Sequence, residues 1–261
     1  MGRFRWRRGF RRRRRGRRLV NLMKQQFEAF IDDLKTTHGR NLASVILYGS
    51  AAAGDFIPKQ SNYNLLIALH RITPEDLRNA HASVREWHRL GHPVPVYFTV
   101  SELNEAADVF PIEFHQMEAA RKVLYGNDVL ENVTISDSNL RHQTEYELRS
   151  KLVQLRRQYI PASASVEGLK VLMAESFTSF AALFRAVLLL QGIEPPATKH
   201  EVVAITIAHL KLDGGVFEKI LNIRKNNFAE TLDEVEANRL FGEYMEQIEK
   251  VIDSVDKVGT S

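Results

Sequence analysis

The period of the hydrophobic pattern changes partway along this chain, and that change limits its fold more than any other feature. Between residues 42 and 100, apolar residues gather in short β-branched runs: Leu42–Tyr48, halted by Gly49, then Tyr63–Leu69, then Val94–Val100. Runs that are apolar nearly throughout suit strands buried on both faces. Beyond Asp137 come long segments of helical period with almost no alternation. The pattern predicts an α+β chain, with a small sheet and flanking helices followed by an all-α antiparallel helical bundle. The 261 residues suit two modest domains. The expected divisions are an arm over 1–21, a sheet domain over 22–130 and a helical domain over 137–261.

Local signals place the helices. Leu22, Phe27, Phe30, Ile31 and Leu34 keep helical spacing until His38-Gly39. Thr73-Pro74-Glu75-Asp76 reads as a cap, a first-turn proline and two acids, so a helix is expected to run to Leu90 and stop at Gly91. Ser101 is expected to cap another helix, and 112–122 to form one more before a turn at Tyr125-Gly126. In the second half, Leu148, Leu152, Leu155 and Tyr159 form one stripe opposite Arg149, Lys151 and Arg156, ended by Pro161. Helices are then expected over 166–191, from a Thr198 cap to Lys211, over 216–224 and over 232–258.

Charge divides unevenly. Residues 1–18 hold 11 of the 36 basic residues and no acid; the other 25 face 32 acids, so the remainder carries −7. Such an arm repels itself and lacks aliphatic residues, so it is expected to be disordered alone and able to grip phosphates of a nucleic acid. Translation from Met23, where an ordinary amphipathic helix begins, would leave it out. No apolar stretch of secretory type follows the charges. The longest apolar stretch, Phe180–Leu190, is about half of a membrane span and contains Arg185, so no membrane is expected. Zero cysteines exclude disulfides and thiol chemistry and agree with a cytoplasmic chain.

The informative stretch runs from Leu47-Tyr48-Gly49-Ser50 through Gly54-Asp55-Phe56-Ile57-Pro58 to Ser61-Asn62-Tyr63-Asn64-Leu65. A buried strand meets Gly-Ser, a small-residue turn opens where backbone N–H groups can approach a phosphate, and a second strand follows. This order resembles the nucleotidyltransferase fold shared by DNA polymerase β-like enzymes and aminoglycoside nucleotidyltransferases, over residues 40–125. The helical tail is similar, less specifically, to the bundle that follows that domain in the aminoglycoside enzymes.

The resemblance implies a small mixed sheet and transfer of a nucleoside monophosphate from a triphosphate to an acceptor. It also implies nucleotide contacts at Gly49, Ser50 and Ser61, with magnesium held by two aspartates two residues apart and a third carboxylate on a later strand. In this chain Asn62 and Asn64 occupy the paired positions, and Val94-Pro95-Val96-Tyr97-Phe98, where the third belongs, has no acid. Asparagine carbonyls bring no charge to offset a divalent ion beside a triphosphate. The family activity is therefore expected to be weak or lost, with no catalytic residue assigned and magnesium relevant only if activity remains. The alternatives are a nucleotide-binding or partner-binding pseudoenzyme, and a nucleic-acid-binding protein acting through residues 1–18.

Other candidates have plainer readings. Asp55 reads as a turn residue. Arg85 and His92 have the spacing found in a helical-domain ribonuclease pair but lie outside the bundle. His81 and His88 sit on a charged helix as solvated surface. Glu201 suits a capping position behind Thr198. Arg149, Arg156 and Arg157 form a basic run that reads as a solvated face or a phosphate contact. The resemblance to the aminoglycoside enzymes implies a general-base glutamate on the helical domain; Glu145, Glu147 and Glu175 lie on suitable helices, with no motif selecting one.

Overall fold

The computed structural model describes residues 24–49, 51–52, 63–196, 198–225, 228 and 231–259. The expected arm, and with it the nucleic-acid contact, lies outside them. The described residues divide into two compact units, one within 24–105 and 117–133 and the other within 106–116 and 134–259.

In the first unit, helix α1 (24–38) leads into strand β1 (Leu42–Tyr48), which pairs antiparallel with β2 (Asn64–Leu69). Helices α2 (Pro74–Asn79) and α3 (His81–Arg89) follow, then β3 (Val96–Thr99), parallel to β2. After α4 (Val100–Glu105) and α5 (Pro111–Ala119), most of which belongs to the second unit, β4 (Arg121–Gly126) returns antiparallel to β1, giving a mixed sheet in the order β3-β2-β1-β4.

Alternation sorts the side chains. Val45, Leu47, Leu65, Ile67 and Leu69 pack with Phe30, Ile31 and Leu34 of α1 and Trp87 of α3. Ile46, Leu66 and Ala68, on the opposite face, are also fully buried. Burial on both faces is why β1 and β2 read as unbroken apolar runs.

Several local expectations need correction. The span from Pro74 to Arg89 is two helices interrupted at Ala80, although the Thr73–Asp76 capping box forms as read. Thr99, rather than Ser101, caps α4, its hydroxyl accepting from Glu102 N (3.1 Å) while Glu102 Oε2 accepts from Thr99 N (2.7 Å). The helix expected over 112–122 stops at Ala119, and the residues after it are β4. That strand opens with Arg121-Lys122 and is mostly half-buried, so it lacks the apolar run that marks β1 and β2. At Gly126 (φ +74°) a Cβ would stand 2.0 Å from the Ala43 carbonyl oxygen, so the close approach of β4 to β1 excludes any side chain there.

The second unit is the helical bundle: α6 (Asp137–Ala162), α7 (Val166–Ala181), α8 (Phe184–Leu190), α9 (Lys199–His209), α10 (Gly214–Lys225) and α11 (Glu234–Asp256). The stripe Leu148, Leu152, Leu155 meets Phe177, Phe180, Leu240, Tyr244 and Ile248 in one core, which Ile112 of the 106–116 segment joins. The single helix expected over 166–191 is bent by 40° between α7 and α8. Hydroxyls ahead of the bend donate to carbonyls one turn back, Ser176 to Leu172 (2.6 Å) and Thr178 to Ala174 (3.1 Å), a pattern that bends helices. Among the described residues no single helix is long and apolar enough to cross a membrane.

Candidate functional site

Strand β1 ends where Tyr48 stands opposite Asn64, the first residue of β2. Gly49 follows with φ +78°; its N–H donates to the Ala120 carbonyl and its own carbonyl accepts from Ala52 N, both at 2.9 Å. A Cβ at position 49 would stand 3.4 Å from Asn64 Nδ2. That is ordinary van der Waals contact, so it is the left-handed backbone at Gly49, not crowding by Asn64, that calls for glycine. The Gly49 amide is already used, so this residue offers a ligand close approach rather than a donor.

Register defines the face around Asn64. Leu66, two residues on, lies opposite Val96 of β3, and Tyr48 lies opposite Arg121 of β4. Asn64, Tyr48, Leu66, Val96 and Arg121 thus share one side of the sheet. The Arg121 guanidinium is held by Asp128 (2.8 Å). Ser50, Asp55, Ser61 and Asn62 lie outside the described residues.

Paired magnesium ions do not fit this face. Its described positions supply an amide and an aliphatic side chain where the resemblance calls for carboxylates, and hard cations beside a triphosphate require anionic oxygens. Among the described residues no group of three histidine, aspartate or glutamate side chains could hold a metal ion.

The remaining candidates fall into structural roles. Glu145 lies between Arg149 (2.7 Å) and Arg141 (3.1 Å), and the hydrogen bond from Arg149 holds its carboxyl below the usual carboxylate range, which suits an ion-pair centre rather than a base. Glu147 pairs with Lys151 and Arg156 with Glu249, while Glu175 and Arg157 are exposed. Arg85, His81 and His88 are exposed too, whereas His92 is half-buried with its ring against Trp87 (4.2 Å). Sequence reading missed one polar set altogether: His38, His92 and Tyr97 each bury a ring nitrogen or hydroxyl that has no hydrogen-bond partner. Two histidines 54 positions apart and a tyrosine on β3 carry no spacing signal that could have revealed it.

No protein-family model and no curated protein matches the sequence. Among solved structures the chain is similar to a spectinomycin adenyltransferase, AAD(9), from Enterococcus faecialis, determined with ATP and spectinomycin. Identity is 15%, the likeness covers 90% of this chain and 99% of that one, and the TM-score is 0.53. A likeness at that identity shows the fold: an α+β nucleotidyltransferase-like fold with a helical domain.

Proposed function

We propose that this is a cytoplasmic nucleotidyltransferase-fold protein that binds a nucleotide at the Gly49–Asn64 corner but has lost most or all metal-dependent nucleotidyl transfer. One observation carries the reading. Asn64 begins β2 on the face that Val96 shares, so the strand positions suited to metal ligands carry no charge. Nucleotide binding is supported by the fold and by the ATP in the similar adenyltransferase structure. Its acceptor, spectinomycin, is not carried over, because no described residue selects an acceptor.

Titration calorimetry with a nonhydrolysable ATP analogue, with magnesium and with EDTA, tests the reading. Equal binding in the two conditions is expected, together with little or no transfer of label from α-labelled triphosphate. Micromolar binding that requires magnesium overturns it.

A second reading rests on a separate observation, the 11 arginines and no acid within residues 1–18. An arm of that charge suits nucleic-acid phosphates, with affinity that falls steeply as salt rises. Detection of the intact N-terminal peptide by mass spectrometry is its first requirement.

A further inference from the structure

We propose that the sheet unit contains an acid-operated latch. His38 and His92 are held neutral in the layer where α1 and α3 cover the sheet, and their protonation releases that layer while the helical unit stays folded.

His38 is the last residue of α1 and only 7% exposed; its ring lies 6.1 Å from that of Tyr97 on β3. Its Nε2 and the Tyr97 hydroxyl are both buried without a partner. His92, just beyond α3, rests on Trp87 (4.2 Å) and meets Tyr63 edge-on (5.0 Å). Trp87 in turn stacks on Phe30 of α1 (4.8 Å) and donates its indole N–H to the Pro93 carbonyl (3.1 Å). The two imidazoles therefore sit at the α1–β3 contact and at the α1–α3–Tyr63 contact, and Tyr63 leads directly into Asn64.

An imidazolium at either place would be a buried charge with little to balance it. The titratable groups facing His38 are Asp76 from α2 and Tyr97 from β3. Asp76 already accepts from Thr73 N (2.9 Å), Thr73 Oγ1 (2.6 Å) and Asn41 Nδ2 (3.2 Å), so it offsets only part of the cost. Around His92 stand Tyr63 and His88, whose Nδ1 meets the His92 carbonyl at 2.9 Å; no carboxylate is among these contacts. Burial pushes both imidazoles below the usual histidine value of 6.5.

The sign follows from linkage. The unfolded state binds these protons more readily, so stability is complete above the unfolded value and falls as pH drops below it. Among the described residues of the helical unit, His142, His200 and His209 are exposed, and His115, half-buried like His92, is the one histidine with a buried ring nitrogen.

The test follows Trp87 fluorescence in the full chain with Trp6→Phe, since the chain has two tryptophans. Trp87 is 2% exposed, and its emission is expected to shift to the red between about pH 6.5 and 4.5 while far-ultraviolet helicity largely persists. His38→Leu with His92→Phe is expected to move that midpoint down by about one pH unit, whereas His70→Asn with His81→Asn, both exposed, leaves it in place. Urea melts of the parent chain, read at Trp87 from about pH 6.5 to 5, need no variant at either latch histidine. The unfolding constant is expected to rise by up to about tenfold per histidine for each pH unit, approaching two protons taken up. A flat profile overturns the proposal, as does an unshifted midpoint in the double variant or simultaneous loss of both signals.

Discussion

An asparagine and an aspartate have nearly the same shape and differ by one charge, and at the start of β2 that charge decides whether position 64 can help to hold a metal ion. Replacing Asn62 and Asn64 together by aspartate is expected to lower the melting temperature without metal, because adjacent carboxylates repel and one must take up a proton at raised pKa. Magnesium should recover the loss in the variant and have no such effect on the parent, as thermal melts with and without the ion would show. Equal behaviour of the two proteins would mean the side chains do not converge. Adding Val96→Asp should strengthen the recovery, since the parallel register sets Val96 on the face of Asn64. At the far end of β1, Gly126→Ala is expected to cost at least about 2 kcal/mol in a urea melt, combining strain at φ +74° with a clash against the Ala43 carbonyl. Sequence marked Gly126 only as a turn; that it lies against β1 depends on a contact 83 residues away in the chain.

Helix starts were the most legible elements, because a cap is written within four consecutive residues. Thr73 with Asp76 and Thr198 with Glu201 form the bonds their spacing implies. The same logic gives α11 a capping box at Asp233, whose side chain accepts from Glu236 N (2.8 Å). Asp233→Ala is expected to destabilise the chain by about 1 kcal/mol, measurable in the urea midpoint, with the rest of the bundle unchanged. Elements whose definition needs a partner were harder to read. β4 is a strand because β1 offers it an edge, and its half-buried Arg-Lys-Val-Leu-Tyr sequence has no such preference by itself. The bend between α7 and α8 was hidden similarly. Ser176 and Thr178 read as ordinary helix residues until their hydroxyls are seen turned back onto Leu172 and Ala174.

Across the whole molecule, removing residues 1–22 is expected to leave the melting temperature nearly unchanged, since a segment so self-repulsive is expected to bury almost no apolar area. Any nucleic-acid affinity should disappear with it. Full, salt-sensitive binding by the shortened chain would instead point to the basic residues near Arg149. The order of periods along the chain, strands of 4–7 residues and then helices, was enough to determine an α+β architecture with a helical tail, because local spacing decides which faces each segment must bury. The identities Asn62 and Asn64 likewise put uncharged side chains at the two positions where the resemblance calls for aspartates. Only the tertiary structure decided that Val96 shares the face of Asn64, that the Gly49 amide is already donated to Ala120, and that His38 and His92 each bury a ring nitrogen without a hydrogen-bond partner. Each of these depends on strand register or on packing between distant segments, and neither quantity is encoded in the spacing of neighbouring residues.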